Sequence, residues 1–183
     1  MNPESNFFEL PIPTRDGQFV ARYSEKGLAK LNFPVGRASS RAVNSRRRGN
    51  ESQTCSARDF SPRLLQNRIR RWHHITGIAL KNILAGRKPE NLPPLDLAGT
   101  EFQKSVWNAL RKISPGKTKS YGEIARAIGR PRAVRAVGGA CGANPVPVLV
   151  PCHRVLAANK KPGGFSGGLD WKCRLLAREG VKL

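Results

Sequence analysis

The apolar side chains of residues 12–34 follow a pattern that predicts β-structure. Phe19, Tyr23, Leu31 and their apolar neighbours alternate with polar residues, and the alternation is broken at Asp16-Gly17 and at Lys26-Gly27. A period of two is typical of strands that bury one face, and such Gly-containing dipeptides are typical of turns. We therefore predict a small antiparallel meander in this part of the chain.

A helix is predicted to follow from about residue 64 to residue 85. Gly86 comes directly after this stretch and suits the end of a helix. The apolar residues recur at helical spacing and define one buried face: Leu65, Ile69, Trp72, Ala79 and Ile83. Residues 1–92 are accordingly predicted to form an α/β N-terminal domain, a small antiparallel sheet plus a helix, and Lys88 to Pro94 to be a linker.

Two capping boxes predict helix starts in the second half. In Thr100-Glu-Phe-Gln103 and in Ser120-Tyr-Gly-Glu123, a hydroxyl residue precedes Gln or Glu by three positions. The two side chains of such a box satisfy each other's backbone N–H groups. Pro131 suits the first turn of a further helix, predicted to run from Arg132 to Ala143.

The last two of these helices are candidates for a helix-turn-helix, because a short turn joins them. The alternative is an ordinary pair of packed helices within an α-rich core. In both cases residues 99–183 are predicted to form a mostly α C-terminal domain.

The helix predicted over residues 132–143 is unusually slim. From Ala136 onward every side chain except Val137 is small, although adjacent glycines cost about 1 kcal/mol each relative to Ala in a helix. Tight packing against another helix would explain this composition. Access to the DNA minor groove, which is only about 6 Å wide, would explain it equally well. The second explanation predicts these DNA-contacting residues: Arg132, Arg135, Ala136, Gly138, Gly139 and Ala140.

The charge of the chain favours a nucleic-acid partner. There are 33 Lys and Arg residues against 12 Asp and Glu, a formal net charge of +21. Such an excess attracts polyanions, although a ribosomal-type RNA binder or a membrane-surface protein would also show it. Between residues 31 and 80 there are ten Arg and no Lys. The variable segment 35–63 within it is predicted to be a solvated loop, with a DNA-contacting arm as the alternative.

The chain is predicted to be soluble and intracellular. No apolar run approaches the ~20 residues that a membrane span needs, and the first 13 residues lack the basic start of a signal peptide. The four cysteines are scattered without a CxxC pair, as in reduced thiols. A zinc site built from Cys141, Cys152, His153 and Cys173 would lack the usual ligand spacing, so no metal is predicted.

Cys152 is the candidate nucleophile. It lies in Pro151-Cys-His-Arg-Val155, where cationic neighbours would favour the thiolate over the thiol. A buried, inert cysteine is the alternative. Neighbouring residues do not project to the same side, so a bridging water is the simpler link between Cys152 and His153. Several nucleophilic reactions remain open on this evidence.

Five sequence blocks identify a family resemblance. They occur in order between Phe102 and Glu179: Ser120-Tyr121, Arg135-Ala-Val-Gly-Gly-Ala140, Asn144-Pro-Val-Pro147, Pro151-Cys-His-Arg-Val155 and Gly163-Gly-Phe-Ser-Gly-Gly168. With these blocks the second half resembles the O6-alkylguanine-DNA alkyltransferases, or methylated-DNA–protein-cysteine methyltransferases. The first half resembles the family's more variable N-terminal domain at its strands and its 64–86 helix.

The resemblance implies a set of catalytic residues. Cys152 would accept the alkyl group, and His153 would take the thiol proton through a water. Glu179 would orient His153 and balance its charge, and Asn144 would hold the cysteine loop. Tyr121 would contact the flipped nucleotide and help to protonate the departing guanine.

The resemblance also implies a binding surface and a pocket. Arg135 would fill the space that the extruded guanine leaves in the base stack, and the C-terminal domain would contain a winged helix-turn-helix. The family often has Tyr where this chain has Phe165. The implied pocket residues are Tyr121, Pro147, Val150, Val155, Phe165 and Ser166.

The implied function is DNA repair by direct reversal of alkylation. A monomer without metal or organic cofactor would transfer a methyl or small alkyl group from O6-alkylguanine in double-stranded DNA to Cys152, irreversibly. O4-alkylthymine is a second candidate substrate. The resemblance implies a location with the DNA, in the cytoplasm with the nucleoid or in the nucleus, and no membrane partner.

Three other functions fit parts of the pattern. A cysteine hydrolase would use Cys152, His153 and Glu179 and turn over repeatedly. A lesion-recognition protein on the same scaffold would bind without reacting, although known relatives of that kind replace the cysteine. A basic DNA-binding module would carry Cys152 incidentally.

Overall fold

A computed structural model of the chain describes residues 7–34, 62–159 and 161–183. In chain order the elements are β1 (Phe8–Thr14), β2 (Gly17–Tyr23), β3 (Leu28–Asn32), α1 (Pro62–Leu84), α2 (Glu101–Arg111), β4 (Lys119–Ser120), α3 (Tyr121–Ala127), α4 (Val134–Gly142), a 3-10 turn (Cys152–Arg154), β5 (Val155–Leu156) and α5 (Leu169–Arg178). None of the helices in these ranges is long and apolar enough to cross a membrane.

The predicted meander is confirmed as a three-stranded antiparallel sheet. Its order is β1-β2-β3, and Ile12 pairs with Phe19 across the first two strands. Phe19, Ala21 and Tyr23 are completely buried because alternate residues of β2 share the face that covers the core. The sheet begins at Phe8, earlier than the alternation indicated.

The helix predicted over 64–85 is α1. Ile69, Trp72 and Ile83 are buried on one side of it. The helix is followed by Gly86, whose φ of 73° is a left-handed conformation that suits glycine. A Cβ at Gly86 would also collide with the carbonyl oxygen of Arg178, so α1 ends directly against the end of α5.

The residues that follow α1 pack along the edge of the sheet. The Leu28 N–H donates to the Pro94 carbonyl at 2.8 Å, and the Asp96 N–H donates to the Leu28 carbonyl at 2.9 Å. The Leu31 N–H donates to the Pro145 carbonyl, which connects β3 to the second half. Buried residues of both halves share one hydrophobic core. The division into domains 1–92 and 99–183 stays a prediction.

The predicted Arg-rich segment 35–63 lies outside the described residues, apart from Pro62 and Arg63, which open α1. Cys55 belongs to this segment. The prediction that the segment is a loop, and its alternative, a DNA-contacting arm, therefore both stay predictions.

Both predicted capping boxes are present. Thr100 accepts a hydrogen bond from the Gln103 N–H, and the Gln103 side chain accepts from the Thr100 N–H. Ser120 and Glu123 are related in the same way at the start of α3. The reciprocal bonds fix where α2 and α3 begin.

The predicted start of α4 is wrong. Pro131 and Arg132 form a turn, and the helix begins at Val134 rather than at Arg132. The Ala133 N–H donates to the Arg130 carbonyl, and Ala133 caps the helix without a side-chain hydrogen bond. A proline ring fixes φ near a value that turns and first helical turns share, so the sequence did not separate the two.

A pair of short strands brings distant residues together around Cys152. β4 pairs in parallel with β5, with Lys119 opposite Val155 and Ser120 opposite Leu156. Tyr121 follows β4 directly, and the 3-10 turn Cys152–Arg154 precedes β5 directly. The strand pairing therefore places the start of α3 beside the candidate nucleophile.

Candidate active site

Asn144 connects the loop before Cys152 to the thiol itself. Its side-chain amide donates to the Val150 carbonyl at 2.8 Å and to Cys152 Sγ at 3.1 Å. Its oxygen accepts from the Val146 N–H at 3.1 Å. One buried amide thus closes the loop over residues 144–150 and holds the sulfur in place.

The Cys152 thiol is favoured over its thiolate in this position. The residue is only 3% exposed, and burial raises the pKa of the thiol. The hydrogen bond from Asn144 and the charge of Lys172 oppose this effect without cancelling it. A reaction of the thiolate therefore needs a base that removes the proton.

His153 is buried directly after the thiol. Its Nε2 donates to Glu179 Oε1 at 3.1 Å, and burial lowers the pKa of the ring below 6.5 despite this bond. Because Nε2 faces a carboxylate, we assign the ring proton to it, which leaves a lone pair on Nδ1. Within the described residues no polar atom pairs with the buried Nδ1. A neutral imidazole with a free acceptor is the form that can take up a proton.

Glu179 is a buried carboxylate that several donors surround. Arg154 donates to it through Nη2 at 2.7 Å and through Nε at 2.9 and 3.1 Å, and the Gly116 N–H lies 3.3 Å from Oε2. Burial would raise the pKa of Glu179, but the bonds and charges of His153 and Arg154 outweigh it and lower the pKa to about 2. The carboxylate is therefore ionised at neutral pH.

Arg154 and Lys172 are buried cations. The sequence indicated Arg154 as a cation that favours the Cys152 thiolate, but its guanidinium pairs with Glu179 instead, and Lys172 was missed. Arg154 also donates to the Ile113 carbonyl, which connects Glu179 and its donors to the chain just after α2. Lys172 is completely buried on α5, and its Nζ donates to the carbonyls of Val155 at 2.7 Å and Gly164 at 3.4 Å. Burial lowers the pKa of Lys172, while the charge of Lys172 favours the Cys152 thiolate. In the sequence, Arg154 is adjacent to His153. Lys172 shares the buried face of α5 with Leu175 and Leu176, and this position could have indicated that it is buried.

Tyr121 is half-buried between α4 and the glycine loop. A Cβ at Gly163 would lie 3.0 Å from the Tyr121 hydroxyl, and one at Gly138 would lie 4.0 Å from the ring. Burial raises the pKa of Tyr121, so the phenol keeps its proton at neutral pH and can act as a donor. Only glycine at position 163 lets the loop approach the hydroxyl this closely.

The other predicted pocket residues differ in their burial and contacts. Pro147, Val150 and Val155 are buried. The Phe165 ring lies 6.3 Å from the His153 ring, nearly perpendicular to it. Ser166 is exposed. The structure thus places the Phe165 ring beside His153 and leaves Ser166 at the surface of the loop.

The predicted DNA-contacting residues divide between two sides of α4. Arg132, Arg135, Ala136 and Gly139 are exposed, and Gly138 is partly so. Ala140 is an exception: it is 3% exposed, and its carbonyl accepts from Trp107 Nε1 at 2.8 Å. Its side chain faces the core because this position points toward α2, which corrects the prediction that Ala140 contacts DNA.

Within the described ranges no group of three or more His, Cys, Asp or Glu residues has the arrangement of a metal site. Of the thiols considered for zinc, Cys141 is buried and Cys173 is exposed. Burial raises the pKa of Cys141 to about 12, which opposes the thiolate that a metal requires.

The second half of the chain matches known sequences closely. A family model described as the 6-O-methylguanine DNA methyltransferase DNA-binding domain matches residues 101–181. The methylated-DNA–protein-cysteine methyltransferase of Methanosarcina acetivorans is 60% identical over 82 residues, which cover 45% of this chain and 53% of the relative. The inducible Bacillus subtilis enzyme of the same name is 48% identical over 102 residues, covering 56% of this chain and 57% of the relative. The chain thus matches about half the length of these relatives.

The fold matches solved structures over nearly the whole chain. Mycobacterium tuberculosis OGT in complex with DNA is 32% identical with a TM-score of 0.64, covering 96% of this chain and 92% of that one. The Mycobacterium tuberculosis O6-methylguanine methyltransferase is 31% identical with a TM-score of 0.63, covering 94% and 92%. The chain therefore belongs to the methylated-DNA–protein-cysteine methyltransferase family, which confirms the resemblance seen in its motifs.

Proposed function

We propose that this chain repairs DNA by transferring an alkyl group from O6-alkylguanine to Cys152. The observation that carries the proposal is the connected arrangement around the thiol. Asn144 lies 3.1 Å from the sulfur, and the adjacent His153 is bonded to an ionised Glu179 while its Nδ1 is free. This arrangement supplies a nucleophile, a base and a charged group that orients the base.

The reaction is a direct displacement at carbon. The Cys152 thiol loses its proton to His153 through a bridging water, and the sulfur attacks the alkyl carbon. The carbon–O6 bond breaks as the carbon–sulfur bond forms, and guanine leaves with the electron pair. The departing base takes up one proton, assisted by the Tyr121 hydroxyl, so protons balance over the whole reaction. The thioether has no carbonyl for water to attack, and each molecule therefore reacts once.

Access to the lesion requires that the nucleotide leave the duplex. The O6 atom lies within the base stack, so an enzyme must extrude the base to reach it. We infer that α3 and α4 are the helix-turn-helix and that α4 enters the minor groove. Arg135 then fills the vacated space, Arg132 contacts the backbone, and the segment after β5 serves as the wing.

The remaining features of the proposal follow from the same chemistry. Double-stranded DNA is the partner, and the protein acts on it as a monomer. Its location is that of the cellular DNA. Displacement by a thiolate requires no cofactor. O4-alkylthymine also carries its alkyl group on an exocyclic oxygen, and we include it as a second substrate.

The experiment that tests the proposal is a measurement of intact mass. The protein is incubated with duplex DNA that contains O6-methylguanine, and the adduct is located by peptide mapping. We expect a gain of one methyl mass on Cys152, saturating at one per molecule. The Cys152→Ala variant is the control: it should gain nothing and still bind the duplex.

Two other outcomes would reject the proposal. Repeated turnover without a mass gain would indicate a hydrolase that uses the same thiol. Duplex binding with no mass gain in the unaltered protein would indicate a lesion-recognition or general DNA-binding protein.

A further inference from the structure

An aromatic side chain from the first half of the chain contacts the loop whose Phe165 ring packs against His153. Phe33 lies just after β3, and its ring centroid is 5.5 Å from that of Phe165, with the two rings 74° apart. Phe33 also lies 5.0 Å from the ring of Trp171 in the first turns of α5. The ring therefore sits where the loop over residues 163–168 joins α5.

The contact between Phe33 and this loop leaves no spare room. A Cβ at Gly167 would lie 2.6 Å from the Phe33 ring, closer than real Cβ atoms approach a neighbour. Phe19, which is completely buried in β2, packs against Phe33 from the sheet at 5.5 Å. The sheet thus holds the ring in place, and the ring in turn holds the loop.

On its other side, the loop contacts His153 through Phe165. The Phe165 ring lies 6.3 Å from the His153 ring and nearly perpendicular to it. Phe19, Phe33, Phe165 and His153 therefore form a continuous row of rings from the sheet to the residue beside Cys152. Protein interiors are closely packed, so a ring removed from the middle of such a row frees its neighbours to move.

We propose that Phe33 is a positioning residue that sets the size of alkyl group transferred to Cys152. By packing behind Phe165, it keeps that ring close to His153 and keeps the pocket narrow enough to hold a methyl group against the sulfur. The inference rests on the proposed function, because it concerns the pocket of the same reaction. Phe33 acts through Phe165 and does not touch the substrate.

The test compares two substrates in the Phe33→Ala variant. Single-turnover rates are measured with duplexes that contain either O6-methylguanine or O6-benzylguanine at the same position. Methyl transfer should slow about tenfold, because the lost contact with Phe165 is worth up to about 1.5 kcal/mol and about 1.4 kcal/mol corresponds to a factor of ten in rate. Benzyl transfer should slow by less than about twofold or become faster, because a receding Phe165 admits the larger group. The benzyl-to-methyl ratio therefore rises.

Tyr23→Leu is the matched control. Tyr23 is completely buried in β2, and its ring partner among the described residues is His73, so it lies outside this row of rings. This variant should unfold at a lower temperature and keep the rate ratio of the unaltered protein. Phe33→Tyr keeps the ring and should also keep the ratio. If circular dichroism shows that Phe33→Ala does not fold, Phe33→Leu replaces it and should shift the ratio in the same direction.

Two results would overturn the inference. One is an unchanged benzyl-to-methyl ratio when the Phe33 ring is removed; the other is an equal shift in Tyr23→Leu, which would reveal a general loss of stability. Failure of the proposed function gives a different result, since the unaltered protein would then transfer neither group to Cys152.

Discussion

Burial determines the charge states of Cys152 and His153. It raises the pKa of the thiol and lowers the pKa of the imidazole, so both groups are neutral at neutral pH. The thiol is thereby protected from adventitious reaction, and the imidazole is in the form that accepts a proton. Activation of the sulfur must then occur during the reaction rather than before it.

We predict that His153→Ala changes the pH dependence of alkyl transfer. In the unaltered protein the rate should fall as pH drops through the lowered pKa of His153, because a protonated ring cannot accept the thiol proton. The variant should be at least about 100-fold slower at neutral pH, the usual contribution of a general base. Its rate should then rise with pH toward the raised pKa of Cys152, where solvent supplies the thiolate. Single-turnover rates from mildly acidic to alkaline pH measure this; parallel profiles would exclude His153 as the base.

We predict that Glu179→Gln affects both the rate of alkyl transfer and the stability of the buried group formed by Glu179, His153 and Arg154, and that the two effects can be separated. The variant loses the charge that orients His153, and methyl transfer should slow about 100-fold with little change in duplex affinity. It also leaves Arg154 buried without its carboxylate, which should cost about 3–5 kcal/mol of folding free energy. Adding Arg154→Met should recover much of that stability and none of the transfer rate. Recovery of the rate in the double variant would mean that Glu179 acts only through the fold.

The candidate site could be predicted where sequence neighbours or family motifs carry the chemistry. Cys152 and His153 are adjacent, and the motifs indicated Asn144, Tyr121 and Glu179, which the structure places around them. The roles of Arg154 and Lys172 could not be predicted, because long cations are almost always exposed and nothing local shows that a carboxylate or a carbonyl will receive them.

At the scale of the element, the small residues of α4 do not all have the same structural surroundings. Packing inside the protein explains a small residue at one position and not at another. Ala140 packs in the core beneath Trp107. Gly139 is exposed, and a Cβ built on it meets no heavy atom within 4 Å. Internal packing therefore accounts for Ala140 but not for Gly139.

We predict that a larger side chain at Gly139 weakens DNA binding without harming the protein. Gly139→Ala should stabilise the fold by about 0.5–1 kcal/mol, because glycine is a poor helix former and the space is open. Gly139→Leu should fold equally well, but its duplex affinity should fall at least about tenfold as the helix becomes too wide for a minor groove. Its reaction with free O6-benzylguanine should be unchanged. Unaltered duplex affinity in Gly139→Leu would show that this face of α4 does not enter DNA.

The elements themselves were largely predictable because their signals are local. Alternating apolar residues indicated the sheet, apolar residues at helical spacing indicated α1, and two capping boxes indicated the starts of α2 and α3, each within a few residues. The start of α4 was misplaced because proline fits a turn and a first helical turn alike. Local signals thus define elements well and their ends less well.

At the scale of the whole molecule, the contacts between the two halves could not be predicted. Phe33 falls within residues 12–34, whose apolar pattern predicted strands, yet nothing nearby in sequence indicates that it packs against Phe165 and Trp171. The same holds for the contact of Gly86 with the Arg178 carbonyl. Such contacts depend on the relative placement of elements far apart in sequence.

One of these long-range contacts bears on how the protein is made. Arg178 donates two hydrogen bonds to Asp16, at 2.6 and 2.8 Å, across 162 residues of sequence. The next residue is Glu179, which bonds to His153, so this contact connects the end of α5 to the turn between β1 and β2. Native contacts between such distant residues form late in folding, since a long loop must close first. During synthesis on the ribosome, Cys152 therefore emerges before Arg178 and Glu179, and a nascent chain passes through a stage in which the thiol is present before Glu179 can bond to His153.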